Sequence, residues 1–222
     1  MHSVDHHSGE NYLAETKGHT IHSWARYYDL VLGLISLGRE KKFRQAALEL
    51  VEIQPGMNML DVGCGTGSLT ITAKQKEGAD GQVVGIDPSS NMVNLARDKA
   101  KKAGAKIDFQ VGVIEKLDFP DDNFDLVFSS LMMHHLPDDL KLAGLGEVHR
   151  VLKPGGKLLI IEIDPGAFSL VTLVHGHSSQ LSAALANVLP YLESTGFGSI
   201  EYGRLKFRGF SYMIGKKSNQ EN

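Results

Sequence analysis

The 222-residue chain is 42% hydrophobic and 22% charged, a balance that supports a globular core and excludes a disordered or fibrous chain. Its 23 Lys and Arg against 26 Asp and Glu give a formal net charge of −3, so there is no general basic footprint for nucleic acid. The sole cysteine, Cys64, excludes an intramolecular disulfide and a multi-cysteine metal cluster, and no apolar run reaches the roughly 18 residues of a membrane span.

In chain order, residues 1–20 carry His2, His6, His7 and His19 among polar residues without periodicity, and read as a flexible tail. Trp24, Tyr27, Tyr28, Val31, Leu32 and Ile35 then recur at helical spacing and mark one face of a helix. Gly38 interrupts, and Phe43, Ala47, Leu50 and Val51 mark a second helix ended by the turn Gln54, Pro55, Gly56.

Met57 to Val62 is an apolar strand carrying Asp61 near its end, and Gly63, Gly65 and Gly67 follow at alternate positions. Ser68 to Lys74 is compatible with a helix, so the glycines fall in a strand-to-helix turn. Glycine there lets backbone and ligand approach closely, and a helix start offers unpaired N–H donors. The competing dinucleotide fingerprint is weakened, because its third glycine would stand at Ser68 and it needs no acid at position 61. Gln82 to Ile86 is a second apolar strand ending in Asp87, where a carboxylate is placed to accept both hydroxyls of a ribose.

Pro88 and Ser89 start a helix with Met92, Leu95, Ala96, Ala100 and Ala103 inward and Gly104 at its end. Ile107 to Val111 is a third strand, followed by Gly112, Val113 and Ile114. Phe124 to Ser129 is a fourth, and it leads into Ser130 to Leu136, so Ser129, Ser130, His134 and His135 fall on the carboxyl edge of the sheet. A helix from Pro137 and Asp138 to Leu152, a turn at Lys153 to Gly156 and a strand from Lys157 to Ile163 come next, with Glu162 and Asp164 again on that edge. Ala167 to Val174 is an apolar run before His175, Gly176 and His177. Leu181, Leu185, Val188 and Leu192 give a last amphipathic helix that Pro190 should kink or divide, and Ile200 to Phe207 with Phe210 to Ile214 read as a terminal hairpin.

Four motifs in this order, LDVGCGTG at 60–67, GIDPS at 85–89, FDLVFSSLMMHHL at 124–136 and RVLKPGGKLLI at 150–160, resemble the class I S-adenosylmethionine-dependent methyltransferases. The wording is most similar to the ubiquinone/menaquinone biosynthesis methyltransferase group. The resemblance implies an α/β fold, a Rossmann-like doubly wound seven-stranded mostly parallel sheet with a C-terminal antiparallel hairpin and an N-terminal helical lid. It implies one domain, divided into a tail (1–20), a lid (21–52), a cofactor-binding core (53–164), a substrate-pocket insertion (165–180) and a C-terminal helix and hairpin (181–222). The cofactor would be S-adenosylmethionine, leaving S-adenosylhomocysteine, and the expected setting is the cytoplasm.

The cofactor contacts expected from the resemblance are Tyr28, Asp61, Gly63, Gly65, Gly67, Asp87, Pro88, Met92, Val113, Ile114 and Ser129. Asp61 and the glycines would place the methionine part, and Asp87 the ribose. Val113 stands where the family usually has an aspartate for the adenine amino group, so backbone near Ile114 would meet the adenine edge, with Ile114 and Met92 against its faces. His134 or His135 is the candidate base, since imidazole titrates near neutrality. Trp24, Tyr27, His134 and His175, with the apolar run at 167–174, would form a hydrophobic pocket for a small, aromatic or lipid-like acceptor. His19, His22, His175 and His177 would suit zinc, but ordinary surface histidines explain the same residues and no metal is assigned. The runner-up functions are a non-catalytic cofactor-binding protein acting through a partner and a methylase of protein or RNA; the oligomeric state is open, a homodimer included.

Overall fold

Alternating strands and helices fold into one sheet with helices on both faces. The computed structural model describes residues 39–78, 80–164, 181–207 and 209–219. The expected tail, the first lid helix with Trp24, Tyr27 and Tyr28, and the insertion with His175 and His177 lie outside the described residues.

The elements are α1 (Glu40–Leu48), β1 (Met59–Val62), α2 (Ser68–Glu77), β2 (Val83–Asp87), α3 (Ser90–Ala103) and β3 (Asp108–Val111). They continue with β4 (Phe124–Ser130), a single 3₁₀ turn (Met133–His135), α4 (Asp138–Val151) and β5 (Leu152–Ile163). α5 (Ala183–Ala186), α6 (Leu189–Ser194), β6 (Phe197–Arg204) and β7 (Phe210–Lys217) complete the fold. The sheet has seven strands in the order β3-β2-β1-β4-β5-β7-β6. β1 to β5 pair in parallel, and β7 runs antiparallel between β5 and β6. The expected mostly parallel, doubly wound sheet is therefore the observed one.

Side chains of a strand alternate between faces, and here both faces are covered, so the central strands are apolar throughout. Leu60, Val62, Val127, Leu158 and Ile160 pack with Leu145 and Val148 of α4 and with Leu185 and Leu192 of the C-terminal helices. Met59, Leu126, Phe128, Leu159 and Ile161 pack on the other face with Phe43, Ala47 and Leu48 of α1 and Leu69 and Ala73 of α2. After β1 the chain moves outward to β2 and β3, then returns to β4 on the far side of β1. The carboxyl ends of β1 and β4 thus flank the topological switch point, where such sheets form a crevice.

Several boundaries differ from those expected. α1 ends at Leu48, and Leu50 and Val51 lie in the following turn, although Val51 is still buried. Apolar spacing reports burial, which a turn supplies as well as a helix. α3 buries Met92, Val93, Ala96 and Ala100, while Leu95 is half-buried and Ala103 exposed, because the stripe faces the sheet and Phe109. β5 begins at Leu152, so Lys153 to Gly156 is an irregular part of the strand, with a register shift between Phe124 and Leu126 of its partner, and no separate turn. The last helix is divided as Pro190 requires: α5 ends at Ala186 and Pro190 enters the first turn of α6.

Candidate functional site

The glycine turn is held in place by backbone bonds before any ligand is considered. The N–H groups of Gly63 and Cys64 both donate to the Ile86 carbonyl at 2.9 Å, which seats the turn on the end of β2. Gly65 N–H donates to Asp87 Oδ2 at 3.0 Å and Ser89 N–H to Asp87 Oδ1 at 2.9 Å, so the acid at the end of β2 joins the turn to the start of α3. From α3, Lys99 Nζ donates to Thr66 Oγ1 and Ser68 Oγ, each at 2.8 Å. Two of the glycines are required for different reasons. A Cβ on Gly63 would lie 2.5 Å from Met132, next to the ligand edge. One on Gly67 would lie 2.7 Å from Phe109 and 2.8 Å from Ala96, so this glycine serves close packing of α2 on α3 and β3.

Asp61 is 2% exposed, and Thr70 Oγ1 donates to its Oδ2 at 2.5 Å. Burial pushes its carboxyl up to about 7; the Thr70 bond opposes that rise, and the negative Asp87 adds to it. Near neutral pH such a carboxyl is only partly ionised, and a cation beside it would bring its pKa back down.

Asp61, Gly63 and Gly65 line a recess at the switch point. Ser130 and Leu131 from the end of β4 form a second wall. The third wall is apolar, with Phe43 of α1 and Phe210 of β7, whose ring centroids are 4.5 Å apart. Glu40 and Arg44, paired at 3.2 Å on one face of α1, stand at its rim. Sequence reasoning counted Phe43 and Phe210 as core alone and gave Glu40 and Arg44 no role. The i, i+4 placement of the acid and base on the same helix face as Phe43 was the available signal.

Three expected contacts are redirected. Ser129 does not line the recess: its side chain falls on the opposite face of β4, 2% exposed, and Ser130 takes the place, because the strand period is two. Ile114 is 5% exposed and lies in the core against Gly144 of α4, so its side chain does not form an open wall and its backbone is what remains to offer. Gly67 serves packing, as above. Met92 is buried and its N–H donates to the Ser89 side chain at 3.4 Å, which caps α3; Pro88 is half-buried and Val113 forms a bridge with Lys116.

His134 sits in the 3₁₀ turn just beyond Leu131. Its Nδ1 is 2.7 Å from Glu162 Oε2, with the imidazole 40% exposed and the carboxylate side chain 1% exposed. A carboxylate only accepts, so Nδ1 carries the hydrogen and the neutral ring keeps its lone pair at Nε2. The Glu162 bond raises the imidazole above its ordinary value, against partial burial. The His135 ring lies beside it, centroids 3.9 Å apart. Farther along the edge, Asp164 Oδ2 accepts from Arg204 Nε at 2.8 Å and Ser211 Oγ at 3.2 Å. Among the described residues no group of three or more histidine, cysteine or acidic side chains is placed to hold a metal, and no helix is long and apolar enough to cross a membrane.

Comparison with known proteins places this geometry. The profile of the methyltransferase domain family matches residues 53–207. A demethylmenaquinone methyltransferase of Listeria welshimeri is 35% identical over 155 residues, covering 68% of this chain and 65% of the relative. A ubiquinone/menaquinone biosynthesis C-methyltransferase of Vibrio vulnificus is 33% identical over 156 residues, covering 69% of this chain and 59% of the relative. The match thus spans less than two thirds of the length of these relatives. Among solved structures, a SAM-dependent methyltransferase from Aquifex aeolicus aligns with a TM-score of 0.62 at 26% identity, over 78% of this chain and 88% of that one.

Proposed function

We propose, for a chain that belongs to the methyltransferase domain family, that it transfers a methyl group from S-adenosylmethionine to a small hydrophobic or aromatic acceptor. The observation that carries this reading is the convergence of Asp61, the glycine turn and Asp87 at the switch point, beside an apolar wall. The donor set fits the cofactor. A buried carboxyl raised to about 7 suits a ligand with an ammonium and a sulfonium charge, and the phenylalanine wall suits an uncharged part. Asp61 would hold the ammonium, the amides of the turn the amino-acid end, and Asp87 the ribose hydroxyls. When bound, the cofactor supplies an activated methyl group, so that an acceptor electron pair bonds to the methyl carbon as the carbon–sulfur bond breaks and a thioether leaves.

The protein's part is then mainly placement, worth up to about 7–11 kcal/mol in favourable cases. His134 takes the acceptor's proton at Nε2, with Glu162 fixing the tautomer. The relatives named for ubiquinone and menaquinone biosynthesis support an aromatic, quinone-like acceptor. The setting is the cytoplasm.

Calorimetric titration with S-adenosylmethionine and S-adenosylhomocysteine tests the reading. Both should bind in the micromolar range, and Asp87→Ala should weaken both about tenfold or more, since it removes a charged acceptor of hydrogen bonds. No binding of either ligand to the folded wild type would overturn it. Binding without methyl transfer to any aromatic acceptor would favour a non-catalytic role instead.

A further inference from the structure

The recess carries more acid than base. Among the described residues that line it, Asp61 and Glu40 are acidic and Arg44 is the sole cation. Glu40 and Arg44 stand one turn apart on α1 and flank Phe43, so the helix sets both charges at the rim while Phe43, Ala47 and Leu48 are buried.

The pair is a loose one. A guanidinium has five N–H donors and binds a carboxylate best through two of them. Here one nitrogen, Nη1, meets one oxygen, Glu40 Oε2, at 3.2 Å. Neither side chain has another hydrogen bond or ion pair among the described residues. The two side chains are 21% and 30% exposed, a setting in which an ion pair contributes little and is readily exchanged.

The glycine turn has little left to offer an anion. The amides of Gly63 and Cys64 donate to the Ile86 carbonyl, that of Gly65 to Asp87 Oδ2, and that of Gly67 to the Cys64 carbonyl. Lys99, which reaches the turn from α3, donates to Thr66 Oγ1 and Ser68 Oγ. A ligand whose amino-acid end carries an ammonium and a carboxylate thus finds Asp61 for the first. For the second it finds one guanidinium with donors to spare, held by a carboxylate of the protein's own.

We propose that Arg44 receives the carboxylate of the cofactor and that Glu40 stands in for that carboxylate in the ligand-free protein. This rests on the methyl-transfer reading and makes α1 part of the cofactor site as well as a cover for the sheet. Binding exchanges one carboxylate for another on the same guanidinium, so Glu40 lowers the affinity and favours release of the product.

The test is calorimetric titration of the full chain with S-adenosylhomocysteine and with the analogue in which an aminopropyl chain replaces the amino-acid chain. That analogue keeps the ammonium and lacks the carboxylate. The wild type should bind S-adenosylhomocysteine about tenfold or more tighter than the analogue, the worth of a hydrogen-bonded charge pair. Arg44→Gln should reduce the preference to about threefold or less without weakening the analogue, which also shows that the variant is folded. Arg44→Lys keeps the charge and should retain more of the preference than Arg44→Gln. Glu40→Gln should tighten S-adenosylhomocysteine about two- to fivefold and should not tighten the analogue, since no internal carboxylate has to be displaced. A wild type without preference, an undiminished preference in Arg44→Gln, or equal weakening of both ligands by that substitution would overturn the role of Arg44 and leave cofactor binding standing. Unchanged or weaker binding of S-adenosylhomocysteine in Glu40→Gln would overturn the role of Glu40. Failure of S-adenosylhomocysteine to bind the folded wild type would instead remove the methyl-transfer reading, and the role of Arg44 with it.

Discussion

Asp61 shows how the burial of one carboxyl can be costly to the fold. Its folded value, raised to about 7, stands above that of an unfolded aspartate, near 4. Between these values the unfolded chain releases a proton that the folded chain keeps, so stability falls as pH rises from about 4 to 7. Above 7 the burden is complete and amounts to a few kcal/mol. Asp61→Asn should therefore raise the melting temperature of the ligand-free protein at pH 8 by several degrees and change it little at pH 4, while weakening cofactor binding. Thermal scans at the two pH values with one titration check this; an unchanged melting temperature at pH 8 would mean that the carboxyl is not under strain. A cationic ligand beside Asp61 would remove the burden.

At the scale of the element, the strand-to-helix turn both lines the recess and carries a packing constraint. Gly67 has φ of +74° and no room for a Cβ, whereas Gly104, at the end of α3, has φ of +65° and nothing within 4 Å. Alanine at Gly104 should cost about 1 kcal/mol, the strain of a left-handed residue. Alanine at Gly67 adds a clash with Phe109 and Ala96 and should cost about 2–4 kcal/mol. Urea denaturation of the two variants separates the effects, and equal losses would show that the contact of α2 with α3 and β3 is not tight. Phe43 presents the other side of the same economy, since α1 both covers the sheet and walls the recess.

At the scale of the molecule, the last strand is internal to the sheet. β7 lies between β5 and β6 and pairs with β5 from Lys157–Lys216 to Ile163–Phe210, although the family profile ends at residue 207. It contributes the buried Phe210, Met213 and Ile214. Removing these loses about 5–9 kcal/mol of apolar burial, comparable with the 5–15 kcal/mol by which a whole domain is stable. A chain ending at residue 207 should then lack a cooperative unfolding transition. Near-native cooperativity in that truncated chain would show that the core is complete without β7. Phe210 also lines the recess, so the strand that completes the sheet completes the site.

The order of strands and helices, the glycine turn and the two acids at strand ends were legible in the sequence, because each depends on local periodicity and on residues a few positions apart. So was the division of the last helix at Pro190, a covalent property of the residue. Which of two adjacent serines lines the recess was not legible, since strand faces are assigned by pairing register, and a shift of one residue exchanges them. Nor were the partnership of His134 with Glu162, 28 residues apart, and the use of Phe43 and Phe210 in one wall. The sequence by itself determined the kind of fold and where along the chain the glycine turn and the two strand-end acids fall. Only the tertiary structure decided which side chains line the recess and which polar atoms remain buried without partners, because those outcomes depend on contacts between strands and helices that are distant in the chain.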